Sequence, residues 1–198
     1  LFNAGQECMS ATRMLVSEKI HDTFVAALAE HLKTVRVGDA SDPNTVLGPL
    51  ISQTQRDRVV GLVDGRSPGA ELVTGGHAVD RAGFFFEPTL ITGVRQNDDL
   101  VQQEIFGPVA TVQTFVDEAD AIAKANAVDQ GLAASVWTRD IGRALRNVNA
   151  IEAGVVWVNN HMAVGPEGPL GGVKGSGYGK EGGTAGLEEF TRIKQVIV

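Results

Sequence analysis

The sequence is short of thiols. Cys8 is its only cysteine. One cysteine closes no intrachain disulfide, so nothing marks an oxidising compartment and a cytoplasmic location is expected. Basic clusters are also missing, and the formal charge of −7 argues against nucleic acid as a partner. No apolar run approaches the ~18 residues that a membrane span requires. No charged-then-apolar leader precedes Leu1, although the opening reads like the middle of a longer product. Low-complexity tracts and internal repeats are absent, and no metal site is expected.

What is present suffices for a real core. The 198 residues are 43% hydrophobic and 21% charged, which reads as one globular unit. "RMLVS" from Arg13 is a short apolar run of strand length. Ile20, Phe24, Leu28, Leu32 and Val35 then recur at helical spacing. "ISQTQRDRVVGLV" predicts a second helix with Ser52 as N-cap. "GAELVTGG", "GFFFEPTLI" and "PVATVQTFV" read as strands. A helix is predicted from Asp117 to Gly131, a strand over "LAASVWT", a helix from Asp140 to Gly154 with Ile141, Leu145, Val148 and Ile151 on one stripe, and a strand over "VVWVN". Strands alternating with helices of this length predict an α/β fold with a mostly parallel sheet flanked by helices. The tail "TRIKQVIV" is β-prone and needs an edge to pair with.

One motif misleads. "GYGKEG" (Gly177, Gly179, Gly182) satisfies G-x-G-x-x-G. That fingerprint needs an apolar strand before it, a helix after it and an acid about 20 positions on. "GGVKGS" precedes it and the chain ends soon after. Walker A fails too, because Glu181 follows Lys180. The glycines are better read as a backbone turning repeatedly against something packed close to it.

Cys8 lies in "NAGQEC", a polar turn containing glycine. A lone cysteine is ordinarily a small core hydrophobe. On such a turn, however, backbone N–H groups can face the sulfur or an oxygen bonded to it, and the thiol is open to activation. Glu7 beside it opposes thiolate formation. Glu104, in "QQEIFGPV", precedes an apolar pair and a Gly-Pro turn. It is either a solvated loop carboxylate or one held beside the ring of Phe106, an arrangement suited to gripping the two hydroxyls of a ribose.

"FNAGQEC", "EIFGPV", "GLAASVWTRD", "GVVWVN" and "PLGGVKGSGYGKEGG" occur in this order and together resemble the C-terminal portion of the NAD(P)-dependent aldehyde dehydrogenase superfamily, from one end of the chain to the other. The resemblance implies a catalytic domain of that family over residues 1–188, truncated at its N-terminus, and a final oligomerisation strand over 189–198. It implies that Cys8 attacks a small aldehyde, that Glu104 and Phe106 hold the nicotinamide ribose of NAD or NADP, and that Glu181 assists water or relays its proton. The loop with His161, Glu167 and Leu170 corresponds to the aldehyde tunnel. Leu170 stands where an aromatic residue or histidine is common, which widens the wall and makes it more aliphatic. His161 and Glu167 either face a polar or cationic substrate group or bond their own loop. The cofactor-binding half, the main general base and the oxyanion asparagine would lie before Leu1. The parent is expected to be a homo-oligomer, and the isolated chain to be inactive. Alternatives are a relative that passes the acyl group to coenzyme A, a non-catalytic module, and a cofactor-free thiol hydrolase, for which only His161 is a candidate base.

Overall fold

The structure is a computed structural model that describes all residues, Leu1–Val198. The chain gathers into two compact units, Leu1–Lys124 and Ala125–Val198.

The first unit is built on a four-stranded sheet. β1 (Arg13–Ser17) leads into α1 (His21–Lys33), α2 (Gln53–Asp64), β2 (Glu71–Thr74), β3 (Thr89–Thr92), α3 (Asp99–Gln102) and β4 (Val109–Phe115), and the unit ends within α4 (Glu118–Asn126). The strand order is β1-β4-β3-β2. β4 pairs in parallel with both β1 and β3, and β2 adds an antiparallel edge. β4 is central, and its first five residues are buried, which explains why "PVATV" reads as a continuous apolar run and not as an alternating one. α1 covers one face, where Val25, Ala29 and Leu32 join Val16, Leu90, Ala110 and Val112 in a core cluster. Ile20, first of the predicted stripe, precedes the helix and is exposed. Ser52 caps α2 as expected, its hydroxyl accepting the Gln55 N–H at 3.1 Å.

The second unit pairs β5 (Gln130–Gly131) antiparallel with β8 (Val173–Lys174), and β6 (Ala133–Val136) parallel with β7 (Val155–Val158). α5 (Ile141–Ala150) connects β6 to β7, and α6 (Gly183–Glu188) lies near the end. Asp140 caps α5 by accepting the Arg143 N–H at 3.0 Å. The α/β class with a mostly parallel sheet and flanking helices is therefore present in the chain.

Several local expectations differ from the structure. "GFFFEPTLI" is a strand only from Thr89. Phe85 and Phe86 before it are core side chains at 5% and 2% exposure, and Pro88 removes a ladder donor between them and the strand. α4 ends at Asn126, not Gly131, because Asn126 bonds Ala150 and Glu152 through its side chain and Gly131 enters a strand pairing. The apolar stripe of α5 is only partly covered: Ile141 and Leu145 are exposed and Val148 and Ile151 half-buried, while Ala144 and Asn147 are buried. Residues 189–198, expected as a final strand, form none and are exposed.

Leu145 and Leu90 therefore separate in cost, although their sequence patterns look alike. Leu90→Ala empties a fully buried site and should destabilise the chain by about 2–5 kcal/mol. Leu145→Ala, at a position 57% exposed, should stay within about 0.5 kcal/mol. Urea unfolding of the two variants checks both values.

Candidate active site

The cysteine turn begins with a left-handed stretch. Asn3, Ala4 and Gly5 have φ of 51°, 56° and 72°, a conformation that asparagine and glycine tolerate and alanine resists. The turn is held because Gly5 lies against another backbone: a Cβ placed there would stand 2.0 Å from the Gly107 carbonyl oxygen. Gly107 is equally confined, since its own Cβ would meet Val59 of α2 at 2.6 Å. Gln6 secures the far side, accepting the Ile51 N–H at 2.8 Å and donating to the Asn3 carbonyl at 3.2 Å. Asn3 returns a bond to the Gln6 carbonyl at 3.0 Å. The next residues bring Cys8 to an exposed position.

The thiol is not buried filler. Its Sγ–H donates to Glu7 Oε1 at 3.2 Å, and the same oxygen accepts the Met9 N–H at 3.4 Å. The Ser10 N–H goes to the Glu7 carbonyl. The amides after the cysteine therefore serve Glu7, and the one acting on the sulfur is Cys8's own. Partial desolvation of the sulfur, the Glu7 hydrogen bond and the Glu7 charge push the thiol above its ordinary value, with Glu104 adding in the same direction; the Cys8 backbone N–H opposes them.

Glu104 and Phe106 occupy the turn that packs on the cysteine segment. α2 clamps this turn by its carbonyls: Arg58 donates to Ile105 O at 2.6 Å and Glu104 O at 2.7 Å. Gln55 donates to Ile105 O at 3.1 Å and Phe106 O at 2.8 Å. Ile105 points inward at 4% exposure. Phe106 takes φ 55° and leaves its ring partly exposed. The backbone is thus committed to the helix while the Glu104 carboxylate is exposed and unpaired. An unpartnered carboxylate beside an open aromatic face fits a sugar diol attached to a flat ring. Cys8, Glu104 and Phe106 are therefore gathered in one place.

The remaining candidates lie in the second unit. Leu170 and Glu181 face each other across an isolated bridge, exchanging N–H to O bonds of 2.7 and 2.8 Å. Glu181 is exposed and Leu170 half-buried. His161 packs edge-on to Trp157, with ring centroids 5.1 Å apart, and Trp157 Nε1 donates to the Ala163 carbonyl at 2.8 Å. Glu167 is exposed. Sequence reasoning missed Gln6, Gln55 and Arg58. The i, i+3 spacing of Gln55 and Arg58 shows that they share a helix face, but nothing local says that this face meets the Glu104 turn.

The sequence profile of the Aldehyde dehydrogenase family matches residues 1–196. An aldehyde dehydrogenase of Emericella nidulans is 43% identical over 196 residues, covering 98% of this chain and 39% of the relative. A betaine aldehyde dehydrogenase of Sinorhizobium fredii is 42% identical over 201 residues, covering 100% and 41%. The crystal structure of betaine aldehyde dehydrogenase from Staphylococcus aureus in complex with NAD+ superposes with a TM-score of 0.92 at 40% identity, over 95% of this chain and 38% of that one. A point mutant of the same protein, with NAD+ and a BME-modified cysteine, gives 0.92 at 40% identity over 95% and 39%. The chain spans about 40% of the length of the curated relatives it matches.

Gly5→Ala should push the cysteine turn off Gly107 and cost at least about 2 kcal/mol, from the left-handed backbone and the carbonyl clash together. Gly61→Ala in α2, where a Cβ meets nothing within 4 Å, should instead stabilise by about 0.4–1 kcal/mol. Denaturant midpoints of the two variants should move in opposite directions.

Proposed function

The chain belongs to the aldehyde dehydrogenase family, and from that premise we propose that it is the C-terminal catalytic portion of an enzyme oxidising an aldehyde to a carboxylic acid with NAD or NADP. One observation carries the reading. The Cys8 turn is docked on the Glu104–Phe106 turn, so a nucleophile and a carboxylate suited to a ribose stand at one site.

In this reading the Cys8 thiolate adds to the aldehyde carbon and forms a tetrahedral thiohemiacetal. The Cys8 N–H donates to the oxygen on which charge develops. A nicotinamide held beside it would supply the acceptor for the hydride lost from this carbon. The resulting thioester on Cys8 is then hydrolysed, releasing the carboxylate and returning the thiol. Glu104 accepts the ribose hydroxyls and Phe106 packs beside the sugar, while Arg58 and Gln55 fix the turn from which both project. Glu181 is assigned the relay of a proton for the hydrolytic water. His161 and Leu170 are assigned to the aldehyde wall, and the bridge between Leu170 and Glu181 keeps wall and relay in fixed register.

The main general base, the oxyanion asparagine and the dinucleotide-binding half are assigned to polypeptide outside these residues. This agrees with the share of the relatives that the chain spans. The exposed apolar tail, with Ile193, Val196 and Ile197 uncovered, is assigned to pairing within a homo-oligomer. Among aldehydes, betaine aldehyde is the first to test, since several relatives carry that name, and a short aliphatic aldehyde is the comparator that Leu170 suggests.

In the longer protein, Cys8→Ser should abolish NADH production from these aldehydes with an unchanged circular dichroism spectrum; retained activity rules out Cys8 as nucleophile. Glu104→Gln should lower kcat by roughly 10–100-fold through misplacement of the nicotinamide. Unfolding of that variant would show a structural residue instead. The 198-residue chain alone should yield no NADH, and turnover by it overturns the assignment of the missing parts.

A further inference from the structure

We propose that Glu7 is a positioning residue that holds Cys8 in its protonated resting form and sets the pH at which the nucleophile becomes available. This rests on the assignment of Cys8 as nucleophile, but the geometry is independent of any substrate. Glu7 Oε1 accepts the Cys8 thiol proton at 3.2 Å and is itself held by the Met9 N–H at 3.4 Å. The Glu7 carbonyl takes the Ser10 N–H, so both ends of the residue are tied to the turn that carries the sulfur.

A thiolate in this position loses the hydrogen bond, since it has no proton to give, and places a second negative charge against the carboxylate. The other ionisable group acting on the sulfur is Glu104, from the turn before β4, and it has the same sign. The sole opposing contribution is the Cys8 backbone N–H. Glu104 is committed by the proposed function to a ligand, whereas Glu7 has the thiol as its side-chain partner together with one amide. The two acids therefore have separable effects on one sulfur. Glu7 acts through Cys8 and touches neither aldehyde nor cofactor in this scheme.

The test is the pH dependence of Cys8 alkylation by iodoacetamide in the 198-residue chain, where Cys8 is the only thiol and every modified sulfur is the one in question. Glu7→Gln keeps an oxygen acceptor but removes the charge. Its rate–pH midpoint should fall by about one unit, which makes alkylation about threefold faster at a pH below both midpoints, because the less basic thiolate is also less nucleophilic. Glu7→Asp keeps the charge and should hold the midpoint close to that of the parent chain. Raising the salt concentration should lower the parent midpoint more than that of Glu7→Gln, where only the smaller Glu104 charge is left to screen. Equal melting temperatures for the three chains show that the turn is intact. A Glu7→Gln midpoint that is unchanged or higher overturns the proposal, as does one that moves only with a lowered melting temperature. The Cys8→Ser assay in the longer protein reads the nucleophile assignment separately, so the two ideas fail on different measurements.

Discussion

The site depends on a close approach of two backbones, Gly5 against the carbonyl of Gly107. No side chain stands between them, so the separation of the two turns is set by van der Waals contact and leaves little room to drift. Each turn has its own anchor. The Gly107 side continues through Pro108, whose carbonyl accepts the Thr89 N–H at 2.8 Å, into the central strand β4. The α2 helix grips the same turn from the other direction through Arg58 and Gln55. The cysteine side feeds β1, which pairs with β4 along its whole length. Sheet, helix and both turns are thus one mechanical unit, and Cys8 and Glu104 project from it.

The electrostatic character of the site follows from the same packing. Two carboxylates act on the Cys8 sulfur, and both disfavour the thiolate. The proposed role of Cys8 as nucleophile therefore calls for a compensating positive charge or a base brought to the thiol. Glu104 is free to act because its backbone, not its carboxylate, satisfies Arg58. A salt bridge from Arg58 to the carboxylate would have neutralised the group that the proposed cofactor contact requires. The helix contributes support to the turn without consuming its chemistry.

The second unit carries apolar surface that its own contacts do not cover. Trp137, Ile141 and Leu145 are exposed on and beside α5, and the tail presents Ile193, Val196 and Ile197. Clustered exposure of large apolar side chains marks surface that is covered in an assembly. The proposal that this chain acts as part of a longer, oligomeric protein accounts for that surface without further assumptions.

Residue pattern alone determined a good part of this protein. Helical spacing placed α1 and α2, the capping residues Ser52 and Asp140 marked two helix starts, and the apolar run after Pro108 marked the central strand, because each of these signals is local and backbone geometry answers to it directly. The motifs around Cys8 and Glu104 likewise announced a family resemblance that the comparisons bear out. Tertiary structure alone decided which face of α5 is buried, where α4 stops, and that Gln6, Arg58 and Gln55 reach partners 45 to 51 positions away. It also decided that the Cys8 thiol donates to the Glu7 carboxylate. Periodicity reports that a helix or strand has an apolar side. Which neighbour covers that side, and which carbonyls a long polar side chain meets, depends on distances between segments far apart in the chain.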